Sequence, residues 1–350
     1  MYINILNSSF NKIGIIDNFS SLIWTKRYFE YGDFEVYIRA DTETLELFQQ
    51  GTYVSRDDDD MICIIETIKL NTDVENGNYL TVSGRCLKSM LERRIVWYQT
   101  NLYGRADLVL EALIDHNAIN TDNINRDFLN LSIGSTPYTD EVISKQITGD
   151  NLYDCVVDFC KTFGWGFEIV RTGMGNGLKF NAYEGKNRTD SQSRNSKVVF
   201  SAEYDNLPRT NYLYSVLNYR NTARIAGEGE GTLRKTAIIG NDNTDLDRYE
   251  VFVDAKDISS NNGEINESDY HKLLLQRGKD KLSESPLTMN VDGEIDATEQ
   301  YVYKEDYFVG DIVQIKTEYG ISATARILEV IECEDETGYK IIPTFSSWKV

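Results

Sequence analysis

The sequence predicts an α+β chain that is mainly β, built from two related antiparallel β-barrels with small α+β domains inserted. Three observations predict it. One strand-and-turn pattern occurs twice, far apart in the chain. Tyr is abundant at 22 residues and Pro scarce at 4, and Tyr, Ile, Val and Thr favour strands. Helical periodicity is confined to a few short stretches.

The first copy runs over residues 51–82, through Gly51-Thr52-Tyr53-Val54, Ile64-Ile65-Glu66-Thr67-Ile68 and Gly77-Asn78-Tyr79-Leu80. The second runs over residues 310–342, through Gly310-Asp311-Ile312-Val313, Ile327-Leu328-Glu329-Val330-Ile331 and Gly338-Tyr339-Lys340-Ile341. Each reads as strand, turn, long strand, acidic turn, strand, with hairpin turns absorbing small differences in spacing. Any two β-meanders share alternation and Gly, Asn or Asp turns, so the pattern leaves open whether the units are related. If they are, three copies of the chain would place six quasi-equivalent units in a ring, and such a ring would join a three-fold object to a six-fold one.

The expected boundaries are a first β-barrel unit at 1–85, an α+β insert at 86–197, the first part of a second β-barrel unit at 198–265, a helix-containing insert at 266–299 and the last part of the second unit at 300–350. In the first unit Phe34, Val36 and Ile38 share one strand face. Asp41 caps a short helix that Gly51 ends, packed through Leu45 and Phe48. The run Asp57 to Asp60 reads as a solvated hairpin tip. Consecutive carboxylates splay apart, whereas a calcium loop alternates them around a Gly.

In the insert, Ala106 to Asp115 is helical. So is Asn151 to Lys161, where Leu152, Cys155, Val156, Phe159 and Cys160 share a face between an Asp150 cap and a Gly164 stop. Phe167–Val170 and Leu178–Tyr183 form a hairpin, and residues 184–195 a polar loop. Strands follow at 212–220 and 223–226. The run Gly227-Glu228-Gly229-Glu230-Gly231 fits neither phosphate-loop pattern and suits a strand end where another backbone comes close. A strand over 247–258 precedes a helix over 266–283 that buries Tyr270, Leu273 and Leu274 and leaves His271 on its polar face. Strands at 287–291 and 300–303 lead to the second copy, where Val313, Ile315 and Tyr319 alternate with Gln314, Lys316 and Glu318.

Composition narrows the chemistry. Five Cys, at 63, 86, 155, 160 and 333, lack a C-x-x-C pair and read as buried free thiols of a reducing compartment. Two His, His116 and His271, leave little for imidazole chemistry. Neither G-x-S-x-G nor H-E-x-x-H occurs. With 56 acidic residues, any carboxylate pair looks plausible, so that signal has no specificity. No residue is assigned a catalytic, cofactor-binding or metal-ligating role, and no cofactor is expected. Neither a signal peptide nor a membrane span is expected. A net charge of −20 argues against specific nucleic-acid binding by phosphate neutralisation. Lining a channel, it would let DNA pass without sticking.

Ala226 to Gly231 with Arg234, then Asp247 to Ile258, resemble the central signature of a phage tail protein family named after a ReqiPepy siphovirus protein. Gly32-Asp33-Phe34-Glu35-Val36-Tyr37-Ile38 and Phe308 to Val313 match the same style. The resemblance covers nearly the whole chain. It implies a baseplate or tail-tip hub: a homotrimer whose two tube-type β-barrels per chain form a pseudo-hexameric ring. Implied partners are a tail tube or distal tail protein and a spike or tip protein. The implied location is the virion tail, after synthesis in the cytoplasm of a host bacterium. The role is structural, without enzymatic activity. The alternatives are a tail-associated peptidoglycan hydrolase and a carbohydrate-binding β-protein.

Overall fold

The computed structural model describes residues 1–350 except 76, 174, 205, 207–208, 295–299, 317–321 and 348–350. The first eight strands are β1 Ile3–Leu6, β2 Lys12–Ile16, β3 Ser21–Arg27, β4 Asp33–Arg39, β5 Tyr53–Arg56, β6 Asp59–Ile64, β7 Thr67–Asp73 and β8 Gly77–Arg85. A four-stranded sheet in the order β2-β1-β5-β6 faces β3, β4 and β8 across a core of Ile3, Ile5, Trp24, Phe34, Val36, Val54, Leu80 and Val82. The alternation of Phe34, Val36 and Ile38 holds, all three being buried. Where the two sheets meet, a Cβ on Gly84 would lie 1.7 Å from the Ile64 carbonyl oxygen.

The helix α1, Thr42–Leu47, carries a full capping box: Asp41 accepts from the Thr44 N–H, and the Thr44 hydroxyl accepts from the Asp41 N–H. Phe48 is buried, but Leu45 is 42% exposed, which corrects its expected core role. The helix has only 6 residues, and the chain turns extended at Phe48 (φ −87°, ψ 91°), so that ring closes the core.

The insert holds β9 Thr100–Arg105, α2 Ala106–Ile114, β10 Leu131–Ile133, β11 Val142–Ile147, α3 Leu152–Phe163, β12 Gly166–Arg171 and β13 Leu178–Tyr183. The strands form the order β10-β13-β12 and a separate β11-β9 pair. Its core gathers Leu110, Leu113, Val156, Phe159, Trp165, Phe167 and Phe180. Gly164 ends α3 in the left-handed region (φ 68°), but the N-cap is Asn151, whose side chain accepts from the Tyr153 N–H. Asp150 is instead drawn off by a backbone bond to Val96.

The remaining elements are β14 Val199–Ser201, β15 Arg209–Ser215, β16 Thr222–Ala226, β17 Thr236–Ile239, β18 Glu250–Asp254, α4 Glu267–Ser283, β19 Thr288–Glu294, β20 Ile312–Lys316, β21 Ser322–Asp335 and β22 Gly338–Ser347. The expected unit over 198–265 is divided. The strands β14 and β15 join the large sheet, while β17-β16-β18 form their own sheet. That sheet packs on α4 through Ala223, Ile225, Val253, Tyr270 and Leu274. The expected strands are shorter here, ending at Ser215 and spanning only Glu250–Asp254. Residues 300–303 form no strand; Tyr303 bridges Tyr307 across a turn in which Lys304 is left-handed (φ 72°). Gln314 is buried with Val313 and Ile315, because β20 is flanked by β14 and β21 and its amide finds Ser322 Oγ at 2.8 Å. Glu318 and Tyr319 lie outside the described residues.

The large sheet has 10 strands, eight of them in the order β15-β19-β22-β21-β3-β4-β8-β7, with β20 and β14 branching from β21. Every neighbouring pair along that path is antiparallel. The path divides into β7-β8-β4-β3 and β21-β22-β19-β15, two blocks that run in the same sense and meet at the β3–β21 pair. A shift of four strands carries β7–β8 onto β21–β22. These are the hairpins that hold the repeated sequence pattern. The first copy breaks at Ile65-Glu66 between β6 and β7, whereas the 14-residue β21 runs through unbroken.

Candidate assembly surfaces and the joint between the sheet blocks

The β3–β21 joint pairs Arg27 with Glu329 through Ser21 with Asp335. Arg27 reaches across three strands, pairing with Asp33 on β4 and Glu329 on β21. Behind the joint lies a knot of buried charge. Glu332 accepts from Arg56 Nη1 at 2.9 Å and from Lys304 Nζ at 2.9 Å, and from the Tyr339 hydroxyl at 3.2 Å. Lys304 also reaches Asp58 at 3.0 Å and Asp59 at 3.4 Å.

The run Asp57 to Asp60 holds the turn of the β5–β6 hairpin, with Asp57, Asp58 and Asp60 exposed as expected; Asp59 is the exception. Asp57 accepts from Tyr2 and Asn4, and Asp58 from Arg56. The Asp59 side chain is almost fully buried against Lys26 Nζ at 2.9 Å. Burial pushes the Asp59 carboxyl up, but Lys26 and Lys304 outweigh it and hold the group at about 2. Consecutive acids splay as expected: Asp57 meets Tyr2 and Asn4, Asp58 meets Arg56, and Asp59 turns inward to Lys26. Sequence reasoning missed Arg56, Lys304 and Glu332. The one visible signal was Glu332, set in the apolar run Val330-Ile331-Glu332-Cys333.

Tyr28 pins three units together. Its hydroxyl accepts from the Gly185 N–H at 3.0 Å and donates toward the Gly164 carbonyl at 3.0 Å. A Cβ on Gly166 or Gly310 would come within 2.3 or 2.2 Å of its ring.

The two ends of the sheet differ from the joint. All seven residues of β7 are exposed. Opposite, β15 pairs among the described residues only with β19, and its Leu213 and Tyr214 are exposed. Neither strand contains Pro, and only β7 has a Lys, at Lys69. Regular open edges of this kind are templates for pairing with another chain.

Other sequence candidates lie elsewhere. His116 and His271 are exposed, in separate units. All five thiols are free, and burial pushes Cys155 and Cys160 up to about 12, far from a reactive thiolate. Among the described residues no group of three or more His, Cys, Asp or Glu is placed to hold a metal ion. No helix among them is long and apolar enough to cross a membrane. At the glycine run, Gly229 is left-handed (φ 96°) and a Cβ there would meet the Leu233 carbonyl oxygen at 2.8 Å. Arg234 beyond it donates to the Ala226 carbonyl at 2.7 Å and pairs with Asp254.

A family model described as Siphovirus ReqiPepy6 Gp37-like protein matches residues 2–345. A tail protein from Neisseria meningitidis MC58 is similar over 99% of this chain and 96% of its own, at 13% identity and TM-score 0.62. A 43 kDa tail protein of prophage MuSo2 from Shewanella oneidensis is similar over 99% and 98%, at 13% identity and TM-score 0.62. Prophage tail protein gp18 from Listeria monocytogenes EGD-e is similar over 100% and 95%, at 12% identity and TM-score 0.57. No curated protein matches. The chain belongs to the Siphovirus ReqiPepy6 Gp37-like family of tail proteins.

Proposed function

We propose that this phage tail structural protein is a trimeric baseplate or tail-tip hub, joining a six-fold tail tube to a three-fold spike or tip around a central channel. The observation that carries the reading is the pair of same-sense strand blocks within one sheet. Because β3 meets β21 antiparallel inside the chain, the four-strand shift makes β15 the counterpart of β3 and β7 the counterpart of β21. An antiparallel joint between β15 of one copy and β7 of the next would repeat the internal joint. Three chains then close a ring of six blocks, with every edge covered. The four separate cores support two β-units, the α+β insert and the smaller β16–β18 and α4 unit, each block with its neighbouring sheet forming one tube-type barrel.

Solution mass and particle images of the purified chain test this. A trimer with a central hole and six-fold pseudo-symmetry is expected. A chain that stays monomeric both alone and on isolated tail tubes would overturn it.

A further inference from the structure

Two of the five free thiols face each other. Cys63 on β6 and Cys86 just after β8 form an isolated antiparallel bridge. The two segments stay close beyond it. The Glu66 N–H donates to the Ser83 carbonyl at 3.1 Å, and Gly84 lies so near the Ile64 carbonyl that no Cβ would fit. Both cysteines belong to the core of the first β-unit, whereas their neighbours Ile62, Ile64 and Leu87 belong to the core of the insert. The two side chains therefore leave the backbone on the same side, as directly opposed residues of an antiparallel pair do. Such residues have Cα atoms about 5.5 Å apart when they exchange hydrogen bonds and about 4.5 Å apart when they do not. The Cys86 N–H goes to the Gly32 carbonyl at 2.8 Å, which makes this the closer kind. A disulfide spans about 4.4–6.8 Å between Cα atoms, so the backbone is already set for one, at the tight end of the range.

The other thiols are placed differently. Cys155 and Cys160 ride on one helix, α3, with Cα atoms about 8–9 Å apart, too far for a bond. Cys333 lies between Lys340 and Ile23 on the neighbouring strands. Within the facing pair the two sulfurs are unequal. Burial pushes both thiols up. The Cys86 sulfur, however, accepts from the Gly32 N–H at 3.1 Å, and the buried Lys88 charge opposes its rise, so Cys86 is the better nucleophile. At 0% and 3% exposure, neither thiol meets an oxidant until the seam between β6 and β8 opens. A bond here would tie the β2-β1-β5-β6 sheet to the large sheet, at the point where β6 gives way to β7.

We propose that Cys63 and Cys86 are a reversible disulfide site, kept as thiols during assembly in a reducing cytoplasm and closed by a low-molecular-weight disulfide once the particle is outside the cell. Disulfides persist on virion surfaces and not in the cytosol. The pairing rests on the bridge alone; its timing rests on the tail reading above. In the first exchange the Cys86 thiolate attacks one sulfur of the reagent and expels a thiolate, which takes up the Cys86 proton. In the second the Cys63 thiolate attacks the Cys86 sulfur of the mixed disulfide and expels the other thiolate, which takes up the Cys63 proton. Two thiols are oxidised and one reagent disulfide is reduced to two thiols.

The test holds the full chain in glutathione buffers of graded oxidised-to-reduced ratio, with urea at the foot of its unfolding transition so that the seam opens. Acid quenching, alkylation and mass spectrometry of unreduced peptides then read the pairing. A Cys63–Cys86 linked peptide is expected, its share rising from below about one tenth at the reducing end to above about nine tenths at the oxidising end. Cys155, Cys160 and Cys333 should stay alkylated throughout. Oxidation should raise the melting temperature by about 5 °C, and dithiothreitol should reverse the rise. Cys63→Ala and Cys86→Ala should each melt at a temperature independent of the ratio. Absence of the linked peptide at every ratio, preferential pairing of other cysteines, or a lower melting temperature after oxidation would each overturn the assignment. A trimeric ring without the linked peptide would sink the bond and keep the hub; a monomer with it would do the reverse.

Discussion

Asp59→Asn isolates the electrostatics of the knot behind the sheet joint. Asp59 is held at about 2 in the fold, against an ordinary value of 3.8. The difference corresponds to roughly 2 kcal/mol of stability at neutral pH, at about 1.4 kcal/mol per unit. The folded value is depressed, so this contribution is fully present above the unfolded value and fades as pH falls from near 4 toward 2, reaching roughly half by pH 3. The amide keeps the shape and still offers an oxygen to the Met61 N–H, which donates to Asp59 Oδ1 at 2.9 Å. What it removes is the attraction for Lys26 and Lys304. Urea unfolding of wild type and variant at pH 7 and at pH 3 reads the effect. The gap should be roughly 2 kcal/mol at pH 7 and about half that at pH 3. An equal gap at both pH values would refute the reasoning, because a packing defect does not titrate.

Arg56→Met removes one of the two cations on Glu332, whose side chain is 3% exposed and keeps Lys304, and should cost about 1–3 kcal/mol. Arg56→Met with Glu332→Leu should recover most of that, and a double-mutant cycle in urea checks it. Tyr28→Phe leaves the Gly185 N–H unpaired and should cost about 1–3 kcal/mol. Gly310→Ala, at φ 97° and against the Tyr28 ring, should cost at least as much, and thermal unfolding measures both. Leu70→Lys on the exposed β7 should change monomer stability by less than about 0.5 kcal/mol yet weaken self-association in sedimentation velocity. Unchanged association would count against an edge-to-edge ring.

Elements defined by their own residues were legible. α3 shows helical spacing up to a left-handed Gly164, and α4 buries Tyr270, Leu273 and Leu274 as its pattern requires. The repeated pattern marked hairpins that hold equivalent places in the sheet. What sequence could not carry was pairing at a distance. Alternation in Thr222–Ala226 says strand, but not that its partners are β17 and β18 rather than the large sheet. Asp59 looks as solvated as its three neighbours until Lys26 and Lys304 arrive from elsewhere in the chain.

The Arg27–Glu329 pair closes a separation of 302 residues. A ribosome adding about 5–20 residues per second needs roughly 15–60 s to cover that distance. Throughout that interval β3 has β4 on one side and nothing on the other. The early strands must wait with a pairing edge open, within reach of other nascent chains on the same message. Arg27, Lys26 and Glu35 in and beside that waiting edge are the kind of charge that slows premature pairing. The joint that fixes the geometry of the finished sheet thus forms late, and the yield of folded protein should depend on how quickly translation reaches β21.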